Sequence, residues 1–173
     1  MTIIRSKNYN APKILVNVPF NYIPEIPDGF CIVYDTREQL PYTFNDLGIN
    51  SLKQCLGISG ADYSIKGFEN KIRIERKSQA DFYGSIGKGR ERFEKTIKFL
   101  STMEFAGLVI ECSEEELLCP EITYSNITAN SIYGTIVSFQ VKYKIHVCYG
   151  NRDQCRLRLI HWAIKFYKMK RNL

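Results

Sequence analysis

Within the 173-residue chain, the segment Lys71-Ile72-Arg73-Ile74-Glu75-Arg76-Lys77 has the residue types and spacing that point most directly to chemistry. It alternates with a period of two, as a β-strand with one buried face does. Ile72 and Ile74 then share one face, and Arg73, Glu75 and Lys77 share the other. A carboxylate beside a lysine has a specific use. The carboxylate holds a divalent cation, while the lysine orients or deprotonates a water and steadies charge building on a phosphate under attack.

One carboxylate is a poor holder of Mg²⁺, which demands near-octahedral oxygen ligation. Asp62 supplies a second, at the start of a strand expected to pair with the Glu75 strand across a turn containing Gly67 and Asn70. Asp35 and Glu38 follow the apolar strand Phe30–Tyr34, at the strand end where open α/β sheets carry functional groups. Four carboxylates around one lysine would repel one another without a neutralising cation. Taken singly, each piece has a plainer reading. Glu-x-Lys on a strand is commonly a surface ion pair, Asp35 a turn residue, and Asp62 a turn cap.

These residues need a sheet to gather them. Strands are expected at Phe30–Tyr34, Asp62–Ile65, Lys71–Glu75, Ala106–Glu111 and Ile145–Cys148. Helices are expected near Ser51–Leu56 (ended by Gly57), Arg90–Met103, Thr128–Val141 and Asp153 to about Lys170, with Asp153 as N-cap of the last. In the second helix Phe93, Ile97 and Leu100 form the apolar stripe. Gly84, Gly87 and Gly89 mark a loop or broken helix between that helix and the Glu75 strand. Alternating strands and helices imply a layered α/β fold. Residues 1–28, with Pro12, Pro19, Pro24 and Pro27, read as an extended arm preceding one domain over 29–173.

The ordered signatures carry a resemblance. Asp35-Thr36-Arg37-Glu38, then Gly60-Ala61-Asp62-Tyr63, then Glu75-Arg76-Lys77-Ser78-Gln79-Ala80-Asp81 resemble the Asp-x-Arg-Glu, Gly-Asp-Tyr and Glu-Arg-Lys-x-x-x-Asp motifs of the XPF/Hef nuclease domain. That domain is a branch of the PD-(D/E)xK superfamily, and the short stand-alone phage and bacterial members are the most similar. Gly89-Arg90 resembles the Gly-Arg that follows in the family, and the similarity runs from about Cys31 to the C-terminus. Here Ala61 separates Gly60 from Asp62, and no helix-hairpin-helix module follows within the 173 residues.

The resemblance implies a restriction-endonuclease-like mixed β-sheet flanked by helices, and Mg²⁺- or Mn²⁺-dependent cleavage of DNA with selectivity for branched or flap structures. Asp35, Asp62 and Glu75 would ligate metal, with Glu38 beside them and Lys77 as the catalytic lysine. Arg37 and Arg76 would contact phosphate or form structural ion pairs, and Asp81 would support the site from the next helix. Gly87-Lys88-Gly89-Arg90 lacks the spacing of a phosphate-binding loop; Lys88 and Arg90 read instead as a basic loop touching DNA backbone. A catalytically silent DNA-binding or dimerisation scaffold and an RNA nuclease are the alternative functions.

Charge agrees with a polyanionic partner. From Gln140 onward nine basic residues face one acidic residue, giving +8, so the remainder of this +6 chain carries −2. No apolar run is long enough to span a bilayer, and Met1 to Asn10 lacks the apolar centre and small-residue cleavage site of a signal peptide, so a cytoplasmic setting is expected. The six cysteines, without any Cys-x-x-Cys pair, fit that setting. His146 and His161 have no partner spacing that suggests metal or a catalytic dyad. On the closing helix, Leu157, Ile160, Ile164 and Tyr167 form one apolar stripe, and Leu159, Trp162, Phe166 and Met169 a second on roughly the opposite side. The second stripe is expected to pair with another copy of the chain, as XPF-type domains pair through their C-terminal part, the alternative being that the Pro-rich N-terminal arm covers it.

Overall fold

The computed structural model describes residues 22–57, 61–120 and 127–173. Gly60, and with it the start of the second signature, lies outside them, as do Pro12 and Pro19. A six-stranded sheet forms the centre. Its strands in chain order are β1 (Cys31–Asp35), β2 (Asn50–Gln54), β3 (Tyr63–Ile65), β4 (Ile72–Ser78), β5 (Phe105–Glu111) and β6 (His146–Tyr149). Across the sheet they lie in the order β2-β1-β3-β4-β5-β6. β3 is antiparallel to β1 and to β4, whereas β1/β2, β4/β5 and β5/β6 are parallel.

Helices cover both faces, which makes this the expected restriction-endonuclease-like α/β fold. On one side α1 (Gln79–Ile86), α2 (Arg90–Leu100), the single turn α3 (Glu114–Leu117) and α4 (Ala129–Tyr143) bury Phe82, Phe93, Ile97, Leu117, Ile132 and Phe139 against Leu108 and Ile110. On the other, α5 (Arg152–Arg171) buries Leu159, Ile160, Ile164 and Tyr167 against Ile32, Ile65, Ile74 and Val109. β4 is therefore covered on both faces. Its burial begins with four consecutive buried residues instead of alternating, because a central strand between two helical layers has no solvent side.

Two local expectations change, and a third is decided between its alternatives. Asn50–Gln54 is a parallel edge strand beside β1 and not the start of a helix. Its polar, short sequence has weak preference of its own, and the open backbone edge of β1 decides the outcome. The N-cap of α5 is Asn151, not Asp153. Its side chain accepts from the Gln154 N–H while the Gln154 side chain accepts from the Asn151 N–H. The glycine-rich stretch is a broken helix: α1 ends at Gly87, and α2 restarts after Gly89.

Most of the second stripe of α5 is covered within the chain. Leu159 and Phe166 are buried, Trp162 packs against the same core, and only Met169 is exposed. The helix lies between two surfaces, which is why it carries two stripes. One surface is the sheet, where Trp162 tilts over Phe105 with ring centroids 5.5 Å apart. The other is residues 22–30, which set Ile23, Ile26 and Phe30 against the α5 core; the Tyr167 hydroxyl donates to the Asp28 carbonyl. No helix among the described residues is long and apolar enough to cross a membrane.

The Trp162 contact depends on a missing side chain. A Cβ on Gly107 of β5 would lie 2.8 Å from Trp162 Cζ3 and 3.0 Å from Cε3. Gly107→Ala is expected to destabilise the domain by about 1–3 kcal/mol through overpacking. Gly134→Ala on α4, where a Cβ meets nothing within 4 Å, should instead stabilise by up to about 1 kcal/mol through helix propensity. Thermal unfolding of the two variants checks the pair. Equal melting temperatures would refute the packing argument.

Candidate active site

The sheet topology brings the signature residues to one end. Parallel β1, β4 and β5 finish there with Asp35, with Glu75 to Ser78 and with Glu111, and antiparallel β3 begins there just after Asp62. Asp62 joins two strands. Its carbonyl accepts from the Asp35 N–H at 2.8 Å, and its Oδ2 accepts from the Arg76 N–H at 2.7 Å. The cleft above this junction is about 520 Å³ and is lined by Asp35, Arg37, Glu38, Asp62, Glu75, Arg76, Lys77, Asp81 and Arg92, with Gln39 and Leu40 at its rim.

Glu75 and Lys77 sit together as the strand period requires, with Lys77 Nζ 2.7 Å from Glu75 Oε1. The ammonium also stands over the Phe93 ring of α2, 5.3 Å from its centroid. Burial alone would lower the Lys77 pKa. The charge and hydrogen bond of Glu75, with Asp62 and Asp81 behind them, outweigh burial and hold it above the usual lysine value. Lys77 is thus a cation at neutral pH, suited to orienting and charge stabilisation and unsuited to taking a proton. Asp62 behaves oppositely. Burial and then the adjacent Glu75 charge push its pKa well above the carboxylate range, against the Arg76 N–H and Lys77.

The remaining signature residues are committed to one another. Asp35, only 2% exposed, accepts from Arg37 N at 2.8 Å, Arg37 Nε at 2.7 Å, Arg37 Nη2 at 3.2 Å and the Leu56 N–H at 2.7 Å. Burial would raise its pKa, yet these hydrogen bonds hold it below the usual value. Asp35 therefore fastens the chain leaving β2 to the end of β1. Arg37 also donates to the Gly57 carbonyl.

Arg76 faces the α5 side of β4, opposite Glu75 and Lys77. Its guanidinium pairs with Glu38 at 3.1 Å and with Glu111 at 2.8 Å, all three side chains being nearly buried. Glu111 in turn accepts from the Tyr42 hydroxyl and from Arg152 at the start of α5, each at 2.9 Å.

Among the described residues, no three Asp, Glu, His or Cys side chains form a group that would hold a metal ion. The expected trio of Asp35, Asp62 and Glu75 is not gathered, because four N–H donors occupy the Asp35 oxygens. Asp62 with Glu75 still fits a hard divalent cation: two adjacent carboxylates, one of them strained toward its proton by the other, are relieved by positive charge. Mg²⁺ is commonly held by one or two carboxylates plus waters and substrate phosphate.

Asp81, in the first turn of α1, lines the cleft and accepts from the Ser78 hydroxyl at 2.7 Å. Of the basic loop, Lys88 is exposed in the turn between α1 and α2 and is absent from the cleft wall. Arg90 turns to Glu94 at 3.0 Å and lines a separate depression with Ser85 and Phe139. Sequence reasoning missed Glu111, Tyr42, Arg152 and Arg92. Glu111 had a signal, for it ends an apolar strand as Asp35 does; the other three depend on helix and loop placement.

Sheet order, flanking helices and an acid- and lysine-lined cleft at the strand ends define a nuclease-like domain of the restriction-endonuclease class. The chain belongs to the ERCC4 domain family, whose domain matches residues 34–160. Among solved structures it is similar to XPF from Aeropyrum pernix, at 18% identity and a TM-score of 0.62, over 80% of this chain and 65% of that one. It is likewise similar to XPF from Aeropyrum pernix in complex with DNA, at 19% identity and a TM-score of 0.61, over 81% of this chain and 66% of that one. The chain thus spans about two thirds of the length of these structures. Comparison with curated protein sequences gives no match.

Proposed function

We propose that the chain is a divalent-metal-dependent endonuclease that hydrolyses DNA phosphodiester bonds. The observation that carries this reading is the contact of Lys77 with Glu75, beside an Asp62 carboxylate raised by burial and by Glu75, at the strand ends of an ERCC4 domain. The similarity to XPF in complex with DNA and the +8 charge beyond Gln140 support a nucleic-acid substrate.

Asp62 and Glu75 would hold the ion, which when bound supplies Lewis acidity toward water and the phosphoryl oxygens. Lys77, kept protonated by Glu75, orients the attacking water and stabilises negative charge growing on the phosphate. Asp35 and Arg37 fix the loop on one side of the cleft, and Arg76 with Glu38 fixes β4 from behind. Asp81 adds to the field that keeps Lys77 charged. Self-association through α5 would use what the chain leaves open of its second stripe, the exposed Met169 and the half-buried Trp162.

The direct test incubates the purified protein with labelled single-stranded, duplex, flap and forked DNA, and with RNA of the same sequences, in Mg²⁺, Mn²⁺ or EDTA. Cleavage of DNA in Mn²⁺ or Mg²⁺ and none in EDTA is expected, with flap or fork preferred over plain duplex. Binding without cutting in either metal would leave a scaffold, and cutting of RNA alone would move the substrate class.

A further inference from the structure

Four cations line the cleft, and three are already spoken for. Arg37 is held by Asp35 and the Gly57 carbonyl, Arg76 by Glu38 and Glu111, and Lys77 by Glu75. The fourth is Arg92, which is exposed and makes no side-chain hydrogen bond or ion pair to any described residue. Its nearest acidic neighbours on α2 do not explain that freedom away, since they are engaged elsewhere: Glu91 with Lys95 at 2.9 Å and Glu94 with Arg90 at 3.0 Å. Both pairings keep negative charge off the Arg92 guanidinium.

Its backbone is firmly placed. The next residue, Phe93, is buried in the core and carries on its ring the ammonium of Lys77. Ile97 and Leu100 continue the same buried stripe, so α2 is anchored along its length. A free guanidinium therefore projects into the cleft from a rigid helix, one residue from the side chain that Lys77 rests on. Arg90 is the same residue type two positions earlier, about 200° around the helix, and serves a different surface.

Charge makes the position matter. Five acidic side chains line the cleft against the four cations, so a phosphate strand entering it meets a floor that repels it except where positive charge is uncommitted. We infer that Arg92 is the residue that grips a backbone phosphate of the substrate strand next to the reacting one, through the planar fork that suits phosphate. This rests on the nuclease reading above. Holding that phosphate from α2 would set the strand across Lys77, with the acidic pair beneath it, and would favour chains that bend over the α1–α2 turn.

Binding measured in EDTA, where cleavage does not compete, separates this role from catalysis. Fluorescence anisotropy of labelled single-stranded and duplex DNA is recorded over a salt series for wild type, Arg92→Ala, Arg92→Lys and Lys98→Ala, the last removing one exposed charge further along α2. Arg92→Ala should weaken binding about tenfold or more, as loss of a charged hydrogen bond does, and lower the slope of log affinity against log salt by about one. Arg92→Lys should keep the slope and recover part of the affinity, and Lys98→Ala should match wild type. Wild-type binding that Arg92→Ala retains in full, with the same slope, overturns the assignment alone. Wild type that binds neither DNA probe overturns the nuclease reading together with it.

Discussion

Lys77→Met is expected to cut DNA cleavage by at least about 10²–10³-fold while leaving substrate affinity nearly unchanged. The size follows from losing one preorganised charge aimed at a developing oxyanion. Its location in the rate constant follows from Lys77 being engaged by Glu75 before substrate arrives, so it adds little to ground-state binding. Asp62→Asn should abolish cleavage as well, for a different reason that a second measurement exposes. In wild type, Mn²⁺ should raise the melting temperature, because a ligand held only by the folded chain stabilises it, by about 2.7 kcal/mol at a hundred times its dissociation constant. Asp62→Asn should lose that rise; Lys77→Met should keep it.

The pH dependence follows from the same pair. The folded chain raises the Asp62 pKa, so it holds the proton more tightly than the unfolded chain does. The stability from that proton is present below the ordinary carboxylate value and is lost as pH rises through the raised one. That lost stability is the part Mn²⁺ should restore, and cleavage should fall as acid returns the proton. Lys77, shifted upward, contributes no titration near neutrality. A Lys77→Met enzyme cutting at wild-type rate, or an Asp62→Asn protein still stabilised by Mn²⁺, would remove these residues from their roles.

How much of this is legible in the sequence depends on the range of the forces involved. β1 and β5 are apolar runs and the β4 sequence alternates, and the strand period puts Glu75 and Lys77 on one face, so their contact could be read directly. The convergence of Asp35, Asp62 and Glu75 on one end of the sheet was also legible, from strand ends and order. Which atoms each carboxylate engages was not. Asp35 is consumed by Arg37 and by the Leu56 N–H, and that depends on Asn50–Gln54 adding to the edge of β1 where local preference suggested a helix. For α5 the sequence left the choice between a partner and the N-terminal arm open for a similar reason. Its two stripes are real, but the segment carrying Ile23, Ile26 and Phe30 and the bare backbone at Gly107 give both of them something to cover within one chain. Arg90 and Arg92 are equivalent as letters, and only the helix phase and the Glu94 pairing tell them apart.

Arg76 shows the same distinction at its largest energetic scale. Sequence left it either touching phosphate or pairing within the protein, and its two carboxylate partners on the far side of β4 favour the second. Arg76→Met should then act on stability. It strands Glu38 and Glu111 nearly buried with the main counter-charge gone, a change that costs about 3–5 kcal/mol, out of the roughly 5–15 kcal/mol that hold a domain together. At about 2–4 °C per kcal/mol for a chain of this size, the melting temperature should fall by roughly 6–20 °C. Arg152 also pairs with Glu111, so Glu38 is the carboxylate left more exposed to the loss. Adding Glu38→Gln to Arg76→Met should accordingly recover part of the stability, whereas the same substitution in wild type should lower it. Such coupling is what a shared buried pair produces. If Arg76→Met melts within about 2 °C of wild type, the pair is not what anchors β4. Loss of cleavage at unchanged stability would then move Arg76 to the substrate side of the sheet's chemistry.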